Sequence, residues 1–522
     1  EYDVTPWATI TTTKTDGDTT TTTTVTRQLT NDEIKSGVTV RLAVPSTTAT
    51  LAKITHKSVG YPDEVFYATV QGTAPSQYVE IVMTHFSDVK IELEEETVDI
   101  VAKIAETGAQ YATFAEAAEA AAGTETITLL ANVADPYTLD VDETLKVAKN
   151  GKTITVKAPA EYILEYKTID NVTTYKSHKA NFEVTSNSGT VKYSDSLSLS
   201  NITNSGTKKV KFLKDYESSS YFTIGNSTYK NATGMTIEID LNGHTWTNIL
   251  PEAKKGYSMV YFANYSTLTG NTLKVDNGKI ITGELGNVLF EALNNNIELG
   301  KNLEIETQIG AVLVLGNGSV TTEATINNTG SCAAIQTNGS TTADDAQIIV
   351  TGGKITSNGG AIYSPNGIVN ISGGEITGTD FAVEIRAGQL NVTGGTLKAT
   401  ATEYSVTPNG SGSTTKGAAV AIAQHNTKKP VAVDITGGTL DGLNAVSVAN
   451  PQNNDTNNVN VTLGAATYSG ALAFSADGNA TVTQGFLYAP FGEIVSEYNA
   501  GFANGVIPKY SFNAKELDEE TG

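Results

Sequence analysis

Asp380, Glu384 and Arg386 are the residues best suited by type and spacing to chemistry, with Glu375 nearby in the same stretch. Glu384 and Arg386 are two apart, so on a β-strand they share a face, as a carboxylate and a cation acting together must. General acid–base work needs such groups within reach of one bond, and glycosidic cleavage needs paired carboxylates. Arg386 is the only arginine between residues 125 and 510, so this constellation stands alone. Its spacing suits a surface ion pair equally well. That is the expectation here, and no residue is assigned a catalytic role.

The remaining reactive types are dispersed. His244 lies in Asn242-Gly243-His244-Thr245-Trp246, which reads as a turn and strand with no Ser, Cys or Asp arrangement of a triad. His56, His85, His178 and His425 show no metal-ligand spacing, so neither an imidazole metal site nor a cofactor is expected. Asp16-Gly17-Asp18 and Asn453-Asn454-Asp455 are fragments of a calcium loop at most, and Asp-Gly is first a hairpin turn. The single cysteine, Cys332, excludes a disulfide framework and a thiolate zinc site, and it reads as a buried core thiol.

The elements that position these residues are strands. Gly is abundant at 48 and Pro scarce at 13 among 522 residues, and Thr, Asn, Ser, Val and Ile crowd the chain. That suits many short strands and tight turns. Lys and Arg number 34 against 56 Asp and Glu, a net charge of −22 that repels nucleic acid and anionic lipid. No apolar run approaches the roughly 20 residues that span a bilayer. The chain opens at Glu1 and closes on Asp518-Glu519-Glu520-Thr521-Gly522, which reads as an excised or processed segment, with any anchoring parts expected outside it.

A repeat organises the centre. Ile348-Ile349-Val350-Thr351-Gly352-Gly353 returns as Val369-Asn370-Ile371-Ser372-Gly373-Gly374, Leu390-Asn391-Val392-Thr393-Gly394-Gly395 and Val433-Asp434-Ile435-Thr436-Gly437-Gly438. The first Gly advances by 21, by 21 and then by 43 residues. Asn370, Asn391 and Asp434 should point outward between inward neighbours, giving an outward row of Ile349, Asn370, Asn391, Asp434 and Asn460. A second strand follows at Ala361-Ile362, Ala382-Val383 and Ala445-Val446. Each unit therefore carries at least two strands and two corners, as a parallel β-helix coil requires. Looser copies at Met235 to Trp246, Leu273 to Ile280, Asn296 to Gly300, Val459 to Gly464 and Ala480 to Gly485 extend the array to a solenoid over 125–510.

Residues 1–98 alternate with period two and predict a β-sandwich. Residues 99–124 hold a linker and a short amphipathic helix, predicted to cap the solenoid end, and 511–522 form a tail. The expected fold is thus all-β: a right-handed parallel β-helix with an N-terminal sandwich and a short capping helix. Tyr111-Ala112-Thr113-Phe114-Ala115-Glu116-Ala117, Ile127-Thr128-Leu129-Leu130-Ala131-Asn132-Val133 and Ile237-Glu238-Ile239-Asp240-Leu241-Asn242-Gly243-His244-Thr245 resemble the pectin-lyase-like right-handed β-helix regions of Gram-positive surface proteins. The Thr84-His85-Phe86-Ser87 ending of the first segment is similar to the last strand of β-sandwich modules in clostridial surface proteins. The resemblance implies the fold. It also implies that polysaccharide lyase or glycosidase activity is the alternative to weigh.

Departures from the 21-residue period mark the candidate binding surface. Sixteen extra residues precede Ala419-Val420, and further insertions follow at His425 to Pro430 and near Asn450 to Asn458. Tyr404, His425, Asn426, Lys428, Asn453, Asn454 and Asp455 are the candidate ligand-binding residues. The expectation is a non-catalytic, monomeric surface adhesin that binds a host protein, such as mucin or immunoglobulin, or a glycan. No nucleic-acid partner and no membrane insertion are expected.

Overall fold

The computed structural model describes the chain except for residues 1, 5–6, 17–18, 35–36, 58–62, 86, 95–97, 122, 201–203, 263–266, 339–344, 410–411, 450–458, 475–484, 489–493, 499–509, 512–514 and 517–522. It divides into two compact units, Glu1–Lys179 and Ala180–Gly522. Among the described residues no helix is long and apolar enough to cross a membrane.

The first unit is built on a largely antiparallel sheet. Glu64–Gln71 pairs with Leu51–Lys57, with Gln110–Tyr111 and with Tyr78–Met83, so one hydrogen-bonded network runs through most strands of 1–98 and beyond. What the hydrogen bonding establishes over 1–98 is an antiparallel network, and the same sheet continues through Thr126–Leu129, Thr144–Ala148 and Val172–Lys179. The Thr-rich start folds on itself, Trp7–Asp16 against Thr19–Gln28, with Asp16 opposite Thr19. Gly17 and Asp18 of the candidate calcium fragment lie outside the described residues.

The helix Phe114–Ala121 begins with a capping box. Thr113 Oγ1 accepts the Glu116 N–H, and Glu116 Oε2 accepts the Thr113 N–H. Phe114, Ala117, Ala118 and Ala121 recur at one-face spacing and are buried with Ile104, Tyr111 and Ile127 in the core of the first unit. Its apolar face therefore completes the first unit's core.

The second unit carries long parallel sheets of 14 and 18 strands among the described residues. Each 21-residue unit supplies three strands, one more than the minimum of two read from the repeat. Ile368–Ile371 joins Gly388–Val392 in one ladder, Glu375–Gly378 joins Thr396–Ala399 in a second, and Phe381–Ile385 joins Ile362–Ser364 in a third. Residues of all three ladders enter a single apolar cluster. The first ladder runs in parallel from Gly206–Phe212 through Val431–Ile435 to Val459–Leu463.

The inward register holds as the repeat requires. Ile371 pairs with Val392 and Val392 with Ile435, all three fully buried. The outward row begins with alternating charges, Lys209, Glu238, Lys274 and Glu298, and continues through Asn370, Asn391 and Asp434 to Thr462. Thr462 replaces the expected Asn460, which pairs with Ala432 instead. The Gly-Gly corners are forced by crowding. A Cβ on Gly373 would stand 2.5 Å from the Thr351 carbonyl oxygen, and Gly374, at φ +88°, would place one 2.6 Å from that of Gly352.

A parallel ladder exposes unpaired edge groups at its first strand. Here Phe182–Thr185 pairs antiparallel with Gly206–Phe212 and with Val191–Ser194, so a hairpin covers that edge. Phe182, Phe212, Tyr216, Phe222 and Trp246 pack edge-to-face or tilted at the same end and close the interior with aromatic surface. Cys332 is exposed in the connection after Thr325–Asn328, which corrects its expected core position.

Candidate functional site

Glu384 lies on Phe381–Ile385, between the inward residues Val383 and Ile385, and so faces outward. An outward position on a bare ladder would be wet. Glu384 and Arg386 are nevertheless 0% and 2% exposed, which corrects the surface ion pair read from the sequence. The cover is the 16-residue insertion, which folds as a hairpin of Ser405–Asn409 and Gly412–Lys416.

Hydrogen bonds join the hairpin to the pair. Arg386 Nε donates to Glu384 Oε1 at 2.8 Å, and the guanidinium also donates to Asn409 Oδ1 at 3.3 Å, to the Ser413 carbonyl at 2.6 Å and to Thr414 Oγ1 at 3.3 Å. The Thr415 N–H donates to Glu384 Oε2 at 3.0 Å. The Tyr363 ring lies under the guanidinium, 4.9 Å from Cζ. Burial pushes the Glu384 carboxyl above its usual range, against the opposing pull of Arg386 and the Thr415 N–H.

A shallow depression of about 290 Å³ borders this cluster, lined in part by Gln336, Tyr363, Asp380, Glu384 and Arg386. Asp380 stands at its edge, 3.3 Å from Lys416 Nζ. Glu375 belongs to a different ladder, pairs with Lys354 at 3.5 Å and does not line the depression. The structure thus brings together Asp380, Glu384 and Arg386 but leaves Glu375 outside. Both Glu384 oxygens already accept hydrogen bonds.

The other candidates sit around the same coils. The Tyr404 hydroxyl is 2.7 Å from Ser447 Oγ, at the base of the hairpin, and its ring is partly exposed. His425, Asn426 and Lys428 form the turn between Ala418–Ile422 and Val431–Ile435. His425 Nδ1 accepts the Thr427 N–H at 3.1 Å, and Lys428 adopts φ +57° while its N–H donates to the His425 carbonyl. Burial and the nearby Arg386 and Lys429 hold the His425 imidazole below its ordinary pKa. Asn453, Asn454 and Asp455 lie outside the described residues. His244 is in the expected turn, after Asn242 and Gly243 at positive φ, with Nδ1 3.4 Å from Asp215.

One cluster was not legible from spacing. His56, Glu64 and His85 meet in the first unit, with donor atoms within 4.8 Å of one another. Their separation in sequence hides the contact, but each histidine continues the buried alternation of its own strand.

Comparison with protein-family models, with curated proteins and with solved structures finds no match to this chain.

Proposed function

We propose that the chain is a non-catalytic binding protein of a Gram-positive cell surface, in which the three ladders close as a right-handed β-helix and the first unit is a sandwich-like module. It presents insertions of the repeat to a host protein, such as mucin or immunoglobulin, or to a glycan. The observation that carries this reading is the commitment of Arg386. Its guanidinium is occupied by Glu384, the hairpin and the Tyr363 face, so the best chemical constellation serves to fix an inserted loop. Long strands of coil act as scaffold while loops in register form the contact surface. Net charge of −22 favours a cationic or neutral partner over nucleic acid.

A second reading, a polysaccharide lyase or glycosidase, draws on the depression beside Asp380 and on a Glu384 carboxyl raised by burial. Two parallel measurements separate them. The purified chain is screened for binding to mucins, immunoglobulins and glycan arrays, and is assayed on pectin, mucin glycans and uronate polymers. Retention of a partner without polymer cleavage supports the binding reading. Cleavage that disappears in Glu384→Ala or Arg386→Ala overturns it.

A further inference from the structure

Three inward rows of the first unit end in polar side chains at one place. Along Leu51–Lys57 the buried positions are Ala52, Ile54 and His56. Along Tyr78–Met83 they are Val79, Ile81 and Met83, and His85 follows two residues later, buried as well. On Glu64–Gln71, Glu64 stands two residues before buried Phe66 and directly opposite His56 in the ladder. Period-two alternation would place apolar residues at all three positions, because each lies on the core side.

The local geometry converges. His56 Nδ1 and Glu64 Oε2 are 2.7 Å apart, and the His56 and His85 rings stack with centroids 4.6 Å apart. His56 is 2% exposed, and its Nε2 has no hydrogen-bond partner among the described residues. A buried polar atom without a partner is an exception that calls for a cause. The Glu64 side chain is half exposed and opens the cluster to solvent. Glu64 also borders a cavity of about 430 Å³, lined further by Phe66, Tyr111 and Glu125.

We propose that His56, Glu64 and His85 form a binding site for a divalent transition metal of the zinc class. Two imidazole nitrogens and one carboxylate oxygen are a donor set that suits zinc, and they are too few oxygens for calcium or magnesium. Absence of a thiolate from the set disfavours cuprous copper. Bonds of 2.0–2.1 Å place tetrahedral ligands roughly 3.3 Å apart, so the donors, now within 4.8 Å, have to close slightly by side-chain rotation. Three protein ligands leave a fourth position for water or a bound group.

The test is titration of the chelator-treated full chain with Zn²⁺ and Co²⁺, followed by calorimetry, visible absorption and thermal unfolding. The expected result is one equivalent of Zn²⁺, a tetrahedral cobalt spectrum and a rise in unfolding temperature with zinc. His56→Ala and His85→Ala should abolish this binding, and Glu64→Gln should weaken it at least about tenfold. If the histidine variants do not fold, Glu64→Gln at its half-exposed position carries the decision together with the wild-type cobalt spectrum. Wild-type protein that takes up no zinc, or zinc binding unchanged in Glu64→Gln with no nitrogen-ligated cobalt spectrum, overturns the site.

Discussion

Glu384 accepts hydrogen bonds from Arg386, two residues on and just past the end of its strand, and from the Thr415 backbone, which lies 31 residues on in the inserted hairpin. A buried carboxylate thus links the ladder to its own insertion. Removing one partner leaves the other charge buried and uncompensated, so Arg386→Ala should lower stability by about 3–5 kcal/mol. The joint replacement Glu384→Gln with Arg386→Met should cost distinctly less, because neither charge then remains. Urea unfolding of the three proteins checks this. Limited proteolysis should locate the first new cut of Arg386→Ala within Ser405–Lys416.

Val392 lies between Ile371 and Ile435 in one interior column. Aspartate there buries an unpaired charge between two apolar layers. Val392→Asp should lose more than about 4 kcal/mol, whereas Val392→Ala loses only packing. An unchanged thermal unfolding curve for the aspartate variant would refute the column.

That column was readable because its cause is local. Gly-Gly recurs where successive coils approach too closely for a Cβ, so the repeat shows directly in the residues. The second ladder was not readable, since Glu375–Gly378 begins immediately after Gly374 and Ile376 is its only buried side chain beyond glycine. Burial of Glu384 and Arg386 could not be read either. It depends on which way the hairpin of 405–416 folds, a tertiary matter, although Asn409-Gly410 is itself a hairpin signal. The His56 and His85 contact left a fainter trace, a histidine at the next inward position of each alternating strand.

His425 provides a pH-sensitive element. Its Nδ1 accepts the Thr427 N–H, so protonation of that atom removes an acceptor from the turn. Burial lowers its folded pKa below the unfolded value near 6.5. The folded state then prefers the neutral ring. Its contribution to stability is present above about pH 6.5 and is lost as pH falls through the depressed folded value. An NMR titration should place His425 below a free histidine. His425→Asn should flatten the stability profile between about pH 7 and pH 5 relative to wild type, and an identical slope in both proteins would remove His425 as its source.

The binding surface is predicted from where the insertions fall on the ladders. His425 to Pro430 connects Ala418–Ile422 to Val431–Ile435, and 450–458 connects Thr439–Val448 to Val459–Leu463. Ile422 pairs with Val448 and Val431 with Val459, so both insertions bridge the same two ladders in neighbouring coils. Loops that share a corner in adjacent coils leave from one edge, and they can contact one partner together. The strands on either side are held in register by their own ladder pairs. Shortening both loops to the length of Arg386 to Ala387, the corresponding connection one coil earlier, should abolish retention of whichever mucin, immunoglobulin or glycan the screen detects. The unfolding temperature should move by less than about 2–4 °C, the shift expected for roughly 1 kcal/mol in a unit of this size. Shortening the hairpin of 405–416 should behave differently, because it uncovers Glu384 and Arg386 and lowers stability as the Arg386→Ala variant does. Full binding by the protein with both loops shortened would sink the shared-edge surface and direct the search to the first unit, where Glu64 and its neighbouring cavity offer a concave surface.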